Sequence, residues 1–368
     1  MSEHVKIHKA LLPLSWIYGL VVGLRNKFFD WGILSTEEFS VPVISIGNLA
    51  VGGTGKTPHT EYLIRLLSKK YKIAVLSRGY KRKTSGFVLA EENVNSHQIG
   101  DEPYQMFRKF PGITVAVDGN RKRGIKQLLS LPEEKRPEVI LLDDAFQHRY
   151  VLPSLSILLS DSNRLYYKDA LLPAGRLREI AKNNSRAQIV IVTKCSKSFK
   201  PIDYRIISEE LKLAPCQQLF FTSYKYAQLM PVFPEYLSDE LTPQSLENGD
   251  CSILLVTGIA YPENLIDQVK KYTPRLSTLI YADHHDFTSG DIQQISSRFQ
   301  QLSGANKIII TTEKDAVRLM DNKHFSSDLK PVTYYLPIEV VFNLDQEGLF
   351  IQNIENHVTN FKRNRILA

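Results

Sequence analysis

The stretch Ile44-Ser-Ile-Gly-Asn-Leu-Ala-Val-Gly-Gly-Thr-Gly-Lys-Thr-Pro58 carries the strongest signal in this sequence. The apolar run Val41 to Ile46 predicts a strand, the glycines predict a loop, and Thr57 and Pro58 predict the start of a helix. Such a loop directs several backbone N–H groups at one point, where the helix N-terminus adds partial positive charge. The stretch therefore predicts a polyphosphate site on an α/β fold.

The phosphate-binding residues are expected to be Gly52, Gly53, Thr54, Gly55, Lys56 and Thr57. Lys56 would reach the β- and γ-phosphates and act in catalysis, and the Thr57 hydroxyl would ligate Mg²⁺. Ala50 stands where the strict motif has glycine, so a glycine-rich turn with a chance Gly-Lys-Thr is the alternative. The order of strand, loop and helix favours a nucleoside triphosphate site, and ATP and Mg²⁺ are the expected cofactors.

A second acidic motif, Val139-Ile-Leu-Leu-Asp-Asp-Ala-Phe-Gln-His148, predicts a buried strand that ends in two carboxylates. Asp143 and Asp144 would face the phosphate crevice and hold Mg²⁺ directly or through water. Gln147 follows closely enough to complete the metal's ligand shell. The alternative is a strand-end aspartate that caps the next helix.

Two further segments carry candidates for proton transfer. Gly100-Asp-Glu-Pro103 predicts a turn before a helix, and Asp101 is a candidate base because a kinase needs a carboxylate near the acceptor hydroxyl. Helix capping is the alternative. In Tyr281–Phe287, His284 or His285 beside carboxylates could transfer protons near neutral pH, although a surface loop is the simpler interpretation.

The N-terminal segment predicts a helix that lies in the surface of a bilayer. Residues 10–24 are almost wholly apolar, but 15 residues are fewer than the roughly 20 needed to span a membrane. Trp16 and basic residues such as Arg25 suit a membrane interface. A core helix is the alternative. The helical stripe consists of Ile17, Leu20, Val21, Leu24, Phe28 and Trp31.

The rest of the chain alternates apolar runs with helical patterns, which predicts a doubly wound, mostly parallel sheet followed by a second, smaller α/β domain. A chain of 368 residues is long enough for two domains. We expect an N-terminal membrane helix at residues 1–40, a P-loop domain at residues 41–225, a linker at residues 226–250 and a smaller C-terminal domain at residues 251–368.

The net charge of +7 suits an anionic partner, whether nucleic acid, a membrane surface or a phosphorylated substrate. Basic clusters that contain Arg78 and Arg121 could hold an anionic lipid headgroup, although such clusters are usually solvated faces. The three cysteines lack metal-ligand spacing and fit a reducing cytosolic compartment.

Taken together, the motifs resemble the tetraacyldisaccharide 4'-kinases, the lipid A kinases of Gram-negative bacteria. The resemblance covers most of the chain in the expected order. Beyond the apolar helix, the matching pieces are Gly47-Asn-Leu through Pro58, Ser77-Arg-Gly-Tyr80, Gly100-Asp-Glu-Pro103, Asp118-Gly-Asn-Arg121, Leu142-Asp-Asp-Ala-Phe-Gln-His148, Leu172-Pro-Ala-Gly-Arg-Leu-Arg-Glu179, Asp283-His284 and Thr312-Glu-Lys-Asp315.

The resemblance implies ATP-dependent phosphorylation of the 4'-hydroxyl of an acylated glucosamine disaccharide 1-phosphate, at the cytoplasmic face of the inner membrane, by a peripheral or monotopic enzyme. It implies no nucleic-acid ligand and no obligate protein partner. Asp101 would act on the acceptor hydroxyl, paired with His284. Other implied positions are Thr57, Asp143, Asp144 and Gln147 around Mg²⁺, and Arg78, Arg121, Arg178 and Glu179 near the substrate.

A membrane-associated P-loop switch ATPase is the competing hypothesis. Two sequence features count against it. The loop lacks a second lysine near its start, and the guanine-reading pattern fails because Thr193-Lys-Cys is followed by Ser196. A switch should hydrolyse ATP in response to a protein or a bare membrane, whereas a kinase should need its lipid acceptor.

Overall fold

The structure, a computed structural model, describes residues 7–236, 251–283 and 285–366, with side chains to residue 363. The chain divides into two compact units. Unit 1 contains the described residues of Met1–Glu92, Met106–Tyr224 and Val340–Ala368, and unit 2 those of Asn93–Gln105 and Lys225–Glu339.

The described residues form fourteen strands. They are β1 (Val43–Asn48), β2 (Ile73–Ser77), β3 (Val88–Leu89), β4 (Thr114–Val117), β5 (Val139–Asp143), β6 (Leu155–Asp161), β7 (Ile189–Thr193), β8 (Gln218–Tyr226), β9 (Met230–Pro231), β10 (Cys251–Thr257), β11 (Leu276–Ile280), β12 (Asn306–Thr311), β13 (Thr333–Tyr335) and β14 (Ile338–Phe342).

Ten α-helices accompany these strands within the same described ranges. They are α1 (Leu12–Asp30), α2 (Lys56–Leu67), α3 (Ser96–Ile99), α4 (Asp101–Lys109), α5 (Arg121–Leu129), α6 (Pro201–Leu211), α7 (Glu263–Val269), α8 (Ser289–Gln300), α9 (Glu313–Met320) and α10 (Glu347–Ile366).

Unit 1 is built on a sheet in the order β14-β8-β7-β6-β1-β5-β2-β4-β3. In this spatial order, each strand from β8 across to β4 is parallel to its neighbour, and β3 runs antiparallel to β4. This mostly parallel sheet confirms the predicted fold class. Strand β1 lies between β5 and β6, with Ile46 beside Asp143. The loop after β1 and the acidic end of β5 therefore meet at the same edge of the sheet, where ligands bind in such folds.

Alternate residues of the central strands enter different cores. On β5, Val139 and Leu141 belong to one hydrophobic cluster, and Ile140 and Leu142 to another. Side chains of a strand point alternately to the two faces, so both faces of this sheet are covered. Burial on both faces explains why the strands appear in the sequence as continuous apolar runs rather than alternating ones.

Helix α1 packs on the rest of unit 1 through a side that contains Phe29 as well as polar residues, and most of its apolar stripe faces outward. Ser15 and Asn26 are buried, whereas Leu20 is 73% exposed and Trp16 72% exposed. The core-helix alternative is therefore wrong for most of the stripe; Phe28 alone is half-buried. Among the described helices, none combines the length and the apolar character that crossing a membrane requires.

Unit 2 contains a second sheet in the order β11-β10-β12-β13-β9. Its strands are parallel except β9, which runs antiparallel to β13. Strand β10 contributes Leu254 and Val256 to one hydrophobic cluster and Ile253 and Leu255 to another. Unit 2 therefore has its own core, as an α/β domain requires.

The boundaries of the two units differ from the expected ones in two places. Residues 93–105 group with unit 2, and the chain after Val340 groups with unit 1. The second difference has a clear cause, because Phe350 and Ile354 of α10 are buried in the core under the first sheet. In the expected linker, Val232 is buried in unit 2, while residues 237–250 lie outside the described part of the chain.

Candidate active site

The glycine-rich loop joins β1 to α2 and is held by side chains at the ends of two strands. Asn48 Nδ2 donates to Thr54 Oγ1 at 2.7 Å, and Thr193 Oγ1 donates to the Thr54 carbonyl at 2.9 Å. Gly52 and Gly55 have φ values of +112° and +88°. Glycine adopts this left-handed region without steric cost. The loop conformation therefore depends on its glycines and on contacts with Thr54.

Replacing Gly55 with alanine is expected to destabilise the protein. A Cβ at Gly55 would lie 1.8 Å from the Tyr224 hydroxyl oxygen, and the backbone conformation alone costs about 1–3 kcal/mol for a residue other than glycine. Urea denaturation should show a free energy of unfolding lowered by at least that amount. Gly53→Ala is the matched control, because a Cβ there meets nothing within 4 Å. Equal stability of the two variants would contradict the expectation.

A buried histidine, His59, links the loop to a neighbouring strand by hydrogen bonds. His59 Nδ1 lies 2.7 Å from the Gly55 carbonyl oxygen, and Nε2 lies 3.0 Å from Thr222 Oγ1. Burial lowers the pKa of His59 to about 4, so the ring is neutral at physiological pH. A carbonyl only accepts, so Nδ1 carries the proton and Nε2 accepts from Thr222. This chain of hydrogen bonds connects the loop to β8.

Lys56 and Asp144 meet at the carboxyl edge of the sheet. Lys56 Nζ lies 3.6 Å from Asp144 Oδ1, and Arg178 Nη1 donates to the same oxygen at 2.9 Å. Burial raises the pKa of Asp144, but the two cations outweigh burial and hold that pKa below its usual value. The carboxylate is therefore ionised at neutral pH. Asp144 has a φ of +47°, which turns the chain away from β5.

The other predicted metal ligands lie close by. Asp143 is fully buried, and its carboxylate accepts from Thr60 Oγ1 at 3.2 Å and from Ser77 Oγ at 3.4 Å. Thr57 lies one residue after Lys56 and is buried. Gln147 Oε1 accepts from Arg178 Nη1 at 3.2 Å. The structure thus brings the two predicted motifs together on one edge of unit 1.

Glu179 and Arg121, two of the predicted substrate-binding residues, are buried. Glu179 accepts from Asn26 Nδ2 of α1 at 3.1 Å and from Arg186 Nη2 at 2.7 Å. Arg121 donates to the carbonyl oxygens of Asp118 at 2.7 Å and Asp143 at 3.3 Å, and burial lowers its pKa to about 10. These contacts assign Glu179 to holding α1 and Arg121 to joining the ends of β4 and β5.

Arg78 and Arg178, the other two predicted substrate-binding residues, are more accessible. Arg78 is exposed immediately after β2. The Arg178 side chain is 27% exposed beside Asp144. Both guanidinium groups can therefore be reached by an anionic ligand.

In unit 2, the carboxylate of Asp101 at the start of α4 accepts two hydrogen bonds from one arginine. Arg318 donates to Asp101 Oδ2 from Nε at 3.0 Å and from Nη2 at 2.6 Å. The predicted catalytic His284 lies outside the described residues. Its neighbour His285 is paired with Asp291 through Nε2 at 2.9 Å. Of the two candidate histidines, the structure describes only His285, whose partner is the Asp291 carboxylate.

Comparison with known proteins decides the family. The sequence profile of the family described as Tetraacyldisaccharide-1-P 4'-kinase matches residues 7–359. The chain belongs to this family. A tetraacyldisaccharide 4'-kinase of Bacteroides thetaiotaomicron is 56% identical over 99% of this chain and 97% of the relative. That of Parabacteroides distasonis is 51% identical over the full length of both chains.

A solved structure agrees with the sequence comparison. The crystal structure of LpxK from Aquifex aeolicus in complex with ATP covers 95% of this chain and 99% of its own, with a TM-score of 0.71 and 28% identity. The resemblance to the tetraacyldisaccharide 4'-kinase family is thereby confirmed over both units.

Several contacts within each unit were not expected from the sequence. Asn48, His59 and Tyr224 support the loop, and Arg318 contacts Asp101. His59 lies in the predicted helix and Asn48 follows the predicted strand Val41–Ile46. Their partners could not be inferred from the motif, because Thr222 is remote in the chain and Thr54 lies in the loop. The motifs predict the candidate site residues, whereas the contacts that support these residues become visible only in the fold.

Proposed function

We propose that the protein is an ATP-dependent kinase that phosphorylates the 4'-hydroxyl of a tetraacylated glucosamine disaccharide 1-phosphate, a step of lipid A biosynthesis. The observation that carries this proposal is the pairing of Lys56 with Asp144 at the glycine-rich loop of a chain that belongs to the family over residues 7–359. The loop supports a binding site for the phosphates of ATP, and membership of the family supports the identity of the acceptor.

The residues of unit 1 fit a nucleoside triphosphate. The loop glycines leave room for phosphate, the N-terminus of α2 points its N–H groups at the site, and Asn48 Oδ1 is buried without a hydrogen-bond partner among the described residues. Lys56 and Arg178 supply positive charge. We propose that ATP binds at this loop; the solved structure of the Aquifex aeolicus relative is a complex with ATP.

Oxygen donors near the loop fit Mg²⁺. The Thr57 hydroxyl, the carboxylates of Asp143 and Asp144, and the amide oxygen of Gln147 are hard donors that this ion prefers. The described residues contain no group of three or more His, Cys, Asp or Glu that could hold a metal alone. This fits Mg²⁺, which takes other ligands from phosphates and water. The ion would neutralise charge on the phosphates when bound.

The acceptor hydroxyl needs a base, and Asp101 is the residue proposed for it. A carboxylate oxygen of Asp101 would take the proton of the 4'-hydroxyl as the new oxygen–phosphorus bond forms and the bond to ADP breaks. Lys56 would stabilise the negative charge on the transferred group. We propose that His284 assists Asp101, as the family resemblance implies.

The exposed apolar side of α1 is proposed to lie in the membrane surface. The large exposed side chains of α1 and of Trp31, which directly follows it, are Leu14, Trp16, Ile17, Leu20, Val21, Leu24 and Trp31. The proposed substrate of the enzyme is a lipid, so a helix at the membrane interface would bring the enzyme to its acceptor. We therefore propose a peripheral or monotopic protein on the cytoplasmic face of the inner membrane, with no nucleic-acid ligand and no obligate protein partner.

Charge on this apolar side is expected to weaken membrane binding. The double variant Leu20→Glu/Val21→Glu should have a partition coefficient onto anionic liposomes that is at least about tenfold lower than that of the wild type. Each apolar side chain removed from lipid loses about 1.5–3 kcal/mol of binding free energy. Sedimentation with liposomes measures this. Leu349→Glu is the control, since Leu349 of α10 is 52% exposed outside this helix. Equal partitioning of both variants and the wild type would refute the membrane role of α1.

The dependence of ATP consumption on the acceptor tests the proposed function. A kinase should consume ATP only when the acylated disaccharide 1-phosphate is present, with one ADP formed for each lipid phosphorylated. ATP hydrolysis stimulated equally by bare liposomes would instead support the switch ATPase and contradict the proposal.

A further inference from the structure

We propose that Arg318 is a positioning residue that holds the carboxylate of Asp101 in a single orientation for phosphoryl transfer. The inference rests on the proposed role of Asp101. Arg318 Nε and Nη2 both donate to the same oxygen, Oδ2, at 3.0 and 2.6 Å. Two donors on one oxygen restrict rotation of the carboxylate.

Arg318 is itself anchored by a second carboxylate. Its Nη1 donates to Asp315 Oδ1 at 3.1 Å, and the Arg318 side chain is only 5% exposed. Asp315 is fully buried, and its other oxygen, Oδ2, accepts from the Gly258 N–H at 2.9 Å and from Thr312 Oγ1 at 2.7 Å. The guanidinium is therefore fixed between the two aspartates, against the carboxyl ends of β10 and β12.

A purely structural role is the competing explanation, because Arg318 also joins α4 to α9. Other contacts already join the same two parts of unit 2. Asp321 Oδ2 accepts from the Ser96 N–H at 2.9 Å and from Ser96 Oγ at 2.7 Å, and Lys314 Nζ lies 3.0 Å from Glu102 Oε1. A buried ion pair is by itself weak evidence for stability. Of these three contacts, only that of Arg318 involves the Asp101 carboxylate and can fix its orientation.

Steady-state kinetics of Arg318→Met, Arg318→Lys and Asp321→Asn test the proposal. The full-length protein is assayed with ATP, Mg²⁺ and the acylated disaccharide 1-phosphate in mixed micelles. We expect Arg318→Met to lower kcat about 10- to 100-fold with the KM for ATP unchanged, since misplacement of a reacting group costs this much. Arg318→Lys keeps the charge but not the fork of donors, so it should recover part of kcat.

Asp321→Asn is the matched control, because it removes the charge from a contact between the same two segments without touching Asp101. It should keep the kcat of the wild type. The melting temperature of every variant is measured alongside. If Asp321→Asn and Arg318→Met lower kcat in proportion to their loss of melting temperature, the role of Arg318 is structural and the proposal is overturned. If Arg318→Met does not fold, the comparison of Arg318→Lys with Asp321→Asn decides in the same way.

Asp101→Asn separates this inference from the proposed function. In the background of Asp101→Asn, adding Arg318→Met should change the residual kcat less than twofold, because residues that act as a unit are not additive. Wild-type kcat in Asp101→Asn would overturn the role of Asp101 and the inference with it. A large loss in Asp101→Asn together with wild-type kcat in Arg318→Met would overturn the inference alone.

Discussion

Asp101→Asn is expected to lower kcat about 10²- to 10⁴-fold, the range that a positioned general base contributes. The amide keeps the size of the carboxylate but cannot take the proton of the acceptor hydroxyl. The glycine-rich loop proposed to bind ATP belongs to unit 1, whereas Asp101 belongs to unit 2. The dissociation constant for ATP should therefore remain that of the wild type. Initial rates of lipid phosphorylation and calorimetric titration with ATP measure the two quantities.

Asp328→Asn is the control for this variant, because Asp328 is an exposed carboxylate of the same unit. It should phosphorylate the lipid at the rate of the wild type. Wild-type turnover in Asp101→Asn would remove Asp101 from the mechanism. Loss of ATP binding in Asp101→Asn would also contradict the account, since it would show that the carboxylate serves the nucleotide site.

Lys56→Met is expected to lower kcat about 10²- to 10³-fold, the loss seen when one group that stabilises transition-state charge is removed. Lys56 is the first residue of α2, and its side chain is only 11% exposed. Methionine keeps much of the length of the side chain but carries no charge. Asp144 would then have Arg178 as its remaining close cation among the described contacts. Single-turnover phosphorylation rates at saturating ATP measure the effect on the chemical step.

Lys70→Met provides the comparison for Lys56→Met. Lys70 follows α2 in the same unit and pairs with Glu355 at 2.7 Å on the surface, with 57% of its side chain exposed. Surface pairs of this kind contribute little to stability, so kcat should be unchanged. Similar rates for Lys56→Met and the wild type would show that the loop lysine does not act on the transferred phosphate.

The parallel core of unit 1 could be predicted from the sequence because its strands are buried on both faces. Val139–Leu142 and Ile189–Val192 are continuous apolar runs, and both are central strands of the sheet. The edge of the same sheet was harder to predict. Strand β8 contains polar residues such as Thr222 and Lys225, and β14 belongs in sequence to the region expected to form the second domain. Pairing of such strands depends on contacts remote in sequence.

The proposed phosphate site could be predicted from the sequence, because the loop and the acidic strand are local motifs. Lys56, Asp143 and Asp144 lie together as their motifs predict. The burial of Arg121 and Glu179 could not be predicted, since a charged residue in a motif does not reveal whether it faces solvent. The contact of Arg318 with Asp101 joins residues 217 positions apart, and no periodicity of the sequence encodes it.

The proposed kinase activity can be measured as transfer of a labelled γ-phosphate from ATP to a purified tetraacyldisaccharide 1-phosphate. The reaction is run in mixed micelles with Mg²⁺, and the lipid product is separated from ATP and phosphate. We expect label in the lipid at the 4'-position, and no label in the lipid when the acceptor already carries a 4'-phosphate. Bound ATP that is slowly hydrolysed, with no label in the lipid, would contradict this expectation and favour a switch ATPase.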